Sequence, residues 1–180
     1  MRPGDVVLFT DWTLLRLFPP LRAKWAPLGQ QPVVRISGAN AKRVLFATIN
    51  PRTGHRVLMR GRSMRQGEFQ TFLRLLHRRY HGRTLRLILD EASCHQAAAS
   101  QRLAEQLGIG CFWLPKQTPE LNPVDHLWRP VKGKIAANRQ YRTVDEEAAY
   151  VERYVMHLSN HQTLRIAGIL SENFWLRDVV

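Results

Sequence analysis

The stretch "LRLILD", residues 85–90, is an apolar run that closes on a carboxylate. It reads as a buried strand delivering Asp90 at its end. A second run, "VVLF" at 6–9, has the same character and places Asp11 just beyond its end. A third, "CFWL" at 111–114, leads through the loop "PKQTPEL" into "NPVDHLWRPVKGKI". Asn122 is a good N-cap there and Pro123 suits the first helical position, so a helix opens with Asp125 in its first turn. The helix dipole favours a carboxylate at that point. Pro130 predicts a kink or a restart.

The segments around these three are consistent with an α/β order. "FPPLRAKWAPLGQQP", 18–32, is a proline-rich loop. "KRVLFATIN" and "HRVLM" are β-rich and joined by the turn "PRTG", which predicts a hairpin. From Gln66 to Tyr80, apolar residues at Phe69, Phe72, Leu73, Leu76 and Tyr80 recur at helical spacing, with Arg74, Arg78 and Arg79 on other faces. Residues 96–107 are helical by propensity. Thr143 and Glu146 form a capping box for a last long helix through about His157. No repeat or low-complexity tract interrupts the chain, and 180 residues are read as one domain, 1–180.

Hydrophobic content of 44% and charged content of 23% indicate a globular protein. No apolar run approaches the roughly 18 residues that cross a bilayer, and "MRPGDVVLF" lacks a signal-peptide stretch, so a cytosolic protein without a membrane partner is expected. Cys94 and Cys111 are too few and too isolated for a disulfide framework or a cysteine-rich zinc site. The charge is more informative. Residues 1–89 carry seventeen basic side chains against three acids, whereas 90–180 carry ten against eleven. The first half reads as a polyanion-binding surface or, alternatively, as a solvated basic face.

Three acids therefore occupy comparable places, and sites in open sheets gather at the carboxyl ends of strands. Convergent carboxylates repel one another unless cations lie between them. Such oxygen ligands suit Mg²⁺, and two ions roughly 4 Å apart can drive phosphodiester cleavage. Each acid also has a plainer reading: Asp11 as a strand-end turn residue, Asp90 with Glu91 as a solvated turn, Asp125 as a favourable helix charge. The spacing of His77 with His81 and of His157 with His161 suggests no third zinc ligand.

The blocks "LFTDWTLLRLFPPLRAKW", "LILDEASCH" and "WLPKQTPELNPVDHLW" resemble the three conserved blocks of mariner-like DDE transposases, closest to the bacterial insertion-sequence-630 branch of the DDE superfamily endonucleases. Thirty-four residues separate Asp90 from Asp125, as in mariner elements. The resemblance implies a ribonuclease H-like fold, with a mixed central sheet flanked by helices. It also implies a metal-dependent recombinase that cleaves a DNA strand and joins the freed 3′-end to target DNA. Asp11, Asp90 and Asp125 would be the catalytic acids and the ligands of Mg²⁺ or Mn²⁺, two ions in all. Trp12 stands where the family usually has Glu, and Glu91 where it often has Asn.

Further expectations follow from the resemblance. Double-stranded DNA, as transposon ends and target, is the expected partner. A homodimer, or pairing with a separate helix-turn-helix subunit, is expected as well, because the helix-turn-helix region of such transposases is not in this sequence. The protein would then be associated with the bacterial nucleoid. The family has a histidine at the position of His95, which is read as supporting the site, touching DNA or simply packing. Lys116, Arg129, Lys132 and Lys134 flank the third acid and, with Arg74, Arg78 and Arg79, are candidate DNA contacts, with solvated helix charges as the other reading. Two function classes are carried: an active transposase catalytic domain, and a non-enzymatic remnant that binds DNA or interferes with a full-length transposase.

Overall fold

The computed structural model describes residues 4–177. Five strands form one sheet in the order β3-β2-β1-β4-β5. They are β1 (Val6–Arg16), β2 (Lys42–Ile49), β3 (Arg56–Gly61), β4 (Leu85–Leu89) and β5 (Ile109–Trp113). The β1, β4 and β5 strands are parallel, while β2 and β3 run antiparallel to their neighbours, so the sheet is mixed. Both faces are covered, which is why β2 from Val44 to Ile49 is buried without interruption.

Side chains alternate across β1. Val7, Phe9 and Leu15 join the core under α4 (Pro123–Pro130) and α5 (Val144–His157). Val6 and Leu8 join the opposite core under α1 (Gln66–Arg79) and α3 (Ala98–Gln106). The α1 helix forms because Phe69, Phe72, Leu73 and Leu76 make one buried stripe. The hairpin of β2 and β3 forms as expected. Among the described residues, no helix is long and apolar enough to cross a membrane.

Four local expectations need correction. First, β1 does not end at Phe9. Its pairing with β4 stops there, but its pairing with β2 continues to Arg16, so Asp11 lies inside a strand rather than beyond one. Second, the helix expected over 96–107 starts only at Ala98, because Ala97 has extended backbone (ψ 129°) and separates α3 from a one-turn helix before it, α2 (Ser93–Gln96). Third, the capping box at Thr143 is half formed. The Thr143 hydroxyl accepts from the Glu146 N–H at 3.1 Å, but the Glu146 carboxylate accepts from the Arg142 N–H. Fourth, a short helix unforeseen in the sequence, α6 (Asn160–Ile166), follows α5 with a complete capping box between Ser159 and Gln162.

The expected restart occurs at Pro130, where α4 closes. Beyond it the backbone widens into a π-turn over Val131–Ile135, where the Ala136 N–H reaches back five residues to the Val131 carbonyl at 3.0 Å.

The charge asymmetry of the two halves is partly cohesive. Arg43 makes a two-pronged contact with Asp145, and Arg60 pairs with Glu152 at 2.6 Å. Arg56, 6% exposed, donates to the Val155, Met156 and Leu158 carbonyls at the end of α5. Basic β2 and β3 are thereby laced to acidic α5, and these three arginines are not free for an external polyanion.

Candidate active site

The β1–β4 register explains why distant acids meet. Phe9 pairs with Ile88, and two residues further along both strands Asp11 comes level with Asp90. Adjacent strands lie about 4.8 Å apart. Asp11 shares the parity of Val7 and Phe9 and so faces the α4 side. Trp12, by the same alternation, packs on the α1 side. Trp12 therefore points away from Asp11.

Asp125 is brought to this place by Asn122, a nearly buried residue at 5% exposure. Its side-chain oxygen accepts from the Val124 N–H at 3.1 Å and caps α4. Its amide nitrogen donates to the carbonyl of Thr10 at 2.9 Å, next to Asp11. One side chain thus fixes both the start of α4 and its distance from β1. Sequence reasoning found the cap but not the cross-link. Val124, Leu127 and Trp128, all fully buried, seat the rest of the helix on the sheet.

Asp11, Asp90 and Asp125 consequently line one cleft of about 510 Å³, with Glu91, Lys116 and Asn122 among its walls. Their environments differ. Burial pushes the Asp11 carboxyl up to about 7; the Trp12 N–H opposes this, the negative charges of Asp90 and Asp125 add to it, and Lys132 pulls the other way. Asp90 is held below its usual range, chiefly by a hydrogen bond from His95, against the opposing effect of burial. Asp125 stands 3.6 Å from Arg129 one turn along the helix.

The other candidates divide. Lys116 lies at the cleft, 3.4 Å from Glu91 and well exposed. Arg129, Lys132 and Lys134 are exposed along the segment that follows Asp125. Arg74, Arg78 and Arg79 are exposed on α1, which packs on the other face of the sheet, so the structure does not bring them to the carboxylates. His95 is fully buried and is not placed to touch DNA; its ring faces Asp90 instead.

The donor set suits a hard cation. Three carboxylates open onto one cleft, and Asp11 resists ionisation beside its two negative neighbours unless positive charge is supplied. As the side chains lie, no group of three or more His, Cys, Asp or Glu among the described residues is placed to hold a metal ion.

This fold and site define a class. The DDE superfamily endonuclease family model matches residues 6–146, and the chain belongs to that family. Within it, the chain is 29% identical over 136 residues to the uncharacterized 39 kDa protein of insertion element IS630 from Shigella sonnei, covering 74% of this chain and 40% of that protein. Among solved structures it resembles a pre-cleavage Mos1 transpososome (TM-score 0.70, 18% identity, 89% of this chain and 51% of the other). It also resembles the mariner Mos1 paired-end complex with Mg (TM-score 0.71, 18% identity, 95% and 54%). The isolated catalytic domain of Mos1 superposes with a TM-score of 0.61 at 14% identity, covering 89% and 74%. The expected membership of the DDE superfamily endonucleases and the likeness to an insertion-element IS630 protein are thus found, and the fold is the ribonuclease H-like one of the Mos1 catalytic domain. The chain spans well under two thirds of the Shigella protein and about half of the Mos1 chains in the DNA complexes.

Proposed function

We propose that this chain is a transposase catalytic domain that cleaves a DNA strand and joins the resulting 3′-end to target DNA. The observation that carries this reading is the convergence of Asp11, Asp90 and Asp125 on one cleft at the exit of the parallel strands. Two Mg²⁺ or Mn²⁺ ions, when bound, would supply positive charge to the attacking and leaving oxygens of the phosphodiester. The three aspartates would hold that charge in place. Asn122 would keep the third acid at a fixed distance from the first. Lys116, Arg129 and Lys132 would meet the phosphates flanking the scissile bond. That Mos1 structures were solved with transposon ends and with Mg or Mn supports the choice of partner and ion. It supports a paired, dimeric assembly too.

The test is strand nicking and end joining by the full chain on duplex DNA with Mg²⁺ or Mn²⁺, compared with the Asp125→Asn variant. Cleavage should require the ion and disappear in the variant while metal-free DNA binding persists. Wild-type cleavage by pure Asp125→Asn protein would overturn the three-acid site. If Asp125 served only as a helix charge, the change would cost about 0.3–1 kcal/mol of stability and leave cleavage intact.

A further inference from the structure

We infer that His95 is a positioning residue that commits one oxygen of Asp90 to the protein and leaves the other to the cleft. This deepens the proposed function and rests on the reading that Asp90 holds a divalent cation. The His95 side chain is fully buried, while Asp90 is half exposed. Nδ1 stands 2.8 Å from Asp90 Oδ1 and 3.1 Å from the Asp90 backbone carbonyl. Both atoms accept hydrogen bonds, so Nδ1 carries the proton whatever the charge of the ring. The Ala92 N–H donates to the same Oδ1 at 3.3 Å. Two donors on one oxygen restrict the rotation of the carboxylate, whose residue lines the cleft.

The ring is itself held. It lies against Phe69 of α1, centroid to centroid 4.4 Å, and the His95 carbonyl accepts from the Gln101 side chain at 2.6 Å. The chain therefore runs from a core aromatic through an imidazole to a cleft carboxylate, with no exposed link before Asp90. Partners of this kind orient metal-binding groups, and their loss commonly weakens metal binding by about 10- to 100-fold.

The test measures binding of Mn²⁺ alone to the full chain, from the loss of the free-ion electron paramagnetic resonance signal, without any cleavage assay. His95→Asn places an N–H near the position of Nδ1, His95→Gln places one near Nε2, and His95→Leu places none. Leu and Gln variants should bind Mn²⁺ about 10- to 100-fold more weakly, and the Asn variant should recover most of that loss. Wild-type affinity in a folded Leu variant, or an Asn variant no better than Gln, would overturn the inference. Nitrogen-15 spectra of the unaltered protein need no variant and should show His95 protonated at Nδ1; a neutral ring protonated only at Nε2 would overturn it equally. Asp90→Asn separates the two levels. Unchanged Mn²⁺ binding there removes the reading of Asp90 as a ligand, whereas loss in Asp90→Asn with none in His95→Leu removes the role of His95 alone.

Discussion

Asp11 and Asp90 are neighbours across a strand pair, yet the protein treats their charges in opposite ways. Around Asp90 it supplies donors from His95 and Ala92, and the carboxyl is held below its ordinary range. Around Asp11 it supplies burial and two like charges, and the carboxyl is pushed up to about 7. The difference shows a division of labour. Asp90 is ionised and oriented by the fold alone, whereas Asp11 carries a debt of charge that an external cation would settle.

The largest test of this contrast uses matched substitutions. Asp11→Asn and Asp90→Asn should each reduce metal-dependent cleavage by at least a hundred-fold, about 2.7 kcal/mol in barrier. Gel quantification of nicked DNA would read both. Cleavage retained by either variant would remove that acid from the site.

Metal-free stability should then separate what cleavage cannot. The folded pKa of Asp11 is raised, so its contribution is fully present below about 3.8 and is lost as pH rises through about 7. The Asp11→Asn chain should therefore be more stable than wild type at pH 8, by about 2 kcal/mol once the openness of the cleft is allowed for, and should converge with it near pH 4. Asp90 has the opposite sign. Its stabilisation is present above the usual carboxylate range and fades as pH falls through its depressed value, so Asp90→Asn should lose stability at pH 8, and by less than Asp11→Asn gains, because the group is half exposed. Thermal melts at both pH values would show it. Two shifts of the same sign would dissolve the contrast.

Asn122→Ala tests the geometry between the acids rather than their charges. It removes a helix cap and a buried bond to Thr10, at a cost of about 1–3 kcal/mol. Cleavage should fall more than stability explains, which single-turnover rates on folded protein at low temperature would reveal.

The smallest effect concerns DNA affinity. Replacing Lys116, Arg129 and Lys132 by Ala should lower the salt slope of binding by about 2 to 3, while replacing Arg74, Arg78 and Arg79 should change it by less than about 1. Equal losses from the two sets would place DNA on the α1 face as well as at the cleft.

Much of the site was legible because each acid sits in a local pattern. A strand running into Asp90, and an Asn-Pro helix start before Asp125, are short-range signals. The hairpin and the stripe of α1 were legible for the same reason. What escaped was long-range. The extent of β1 depends on its pairing with β2, since Asp11 interrupts the strand preference of the Thr and Trp residues around it. The bond from Asn122 to Thr10 spans 112 residues, and the Arg43–Asp145 pair spans 102. Counting charges by halves suggested a free basic surface, and only the fold shows that Arg43, Arg56 and Arg60 face inward to α5. Beyond His157 the Ser159–Gln162 capping-box pattern marks α6, but the bond from Trp175 to the Leu121 carbonyl just before α4 has no local signal.

The two hydrogen bonds of the Asn122 side chain also bear on which sequences this position tolerates. A helix cap alone accepts Asp, Ser or Thr nearly as well as Asn. The Thr10 carbonyl accepts only from a donor that reaches it while the cap oxygen stays occupied, and a side-chain amide offers both ends at once. Selection for folding would therefore admit several residues at 122, and selection for cleavage far fewer. An aspartate there would be the most deceptive replacement, because it keeps the cap yet turns a carboxylate oxygen toward another acceptor beside Asp11.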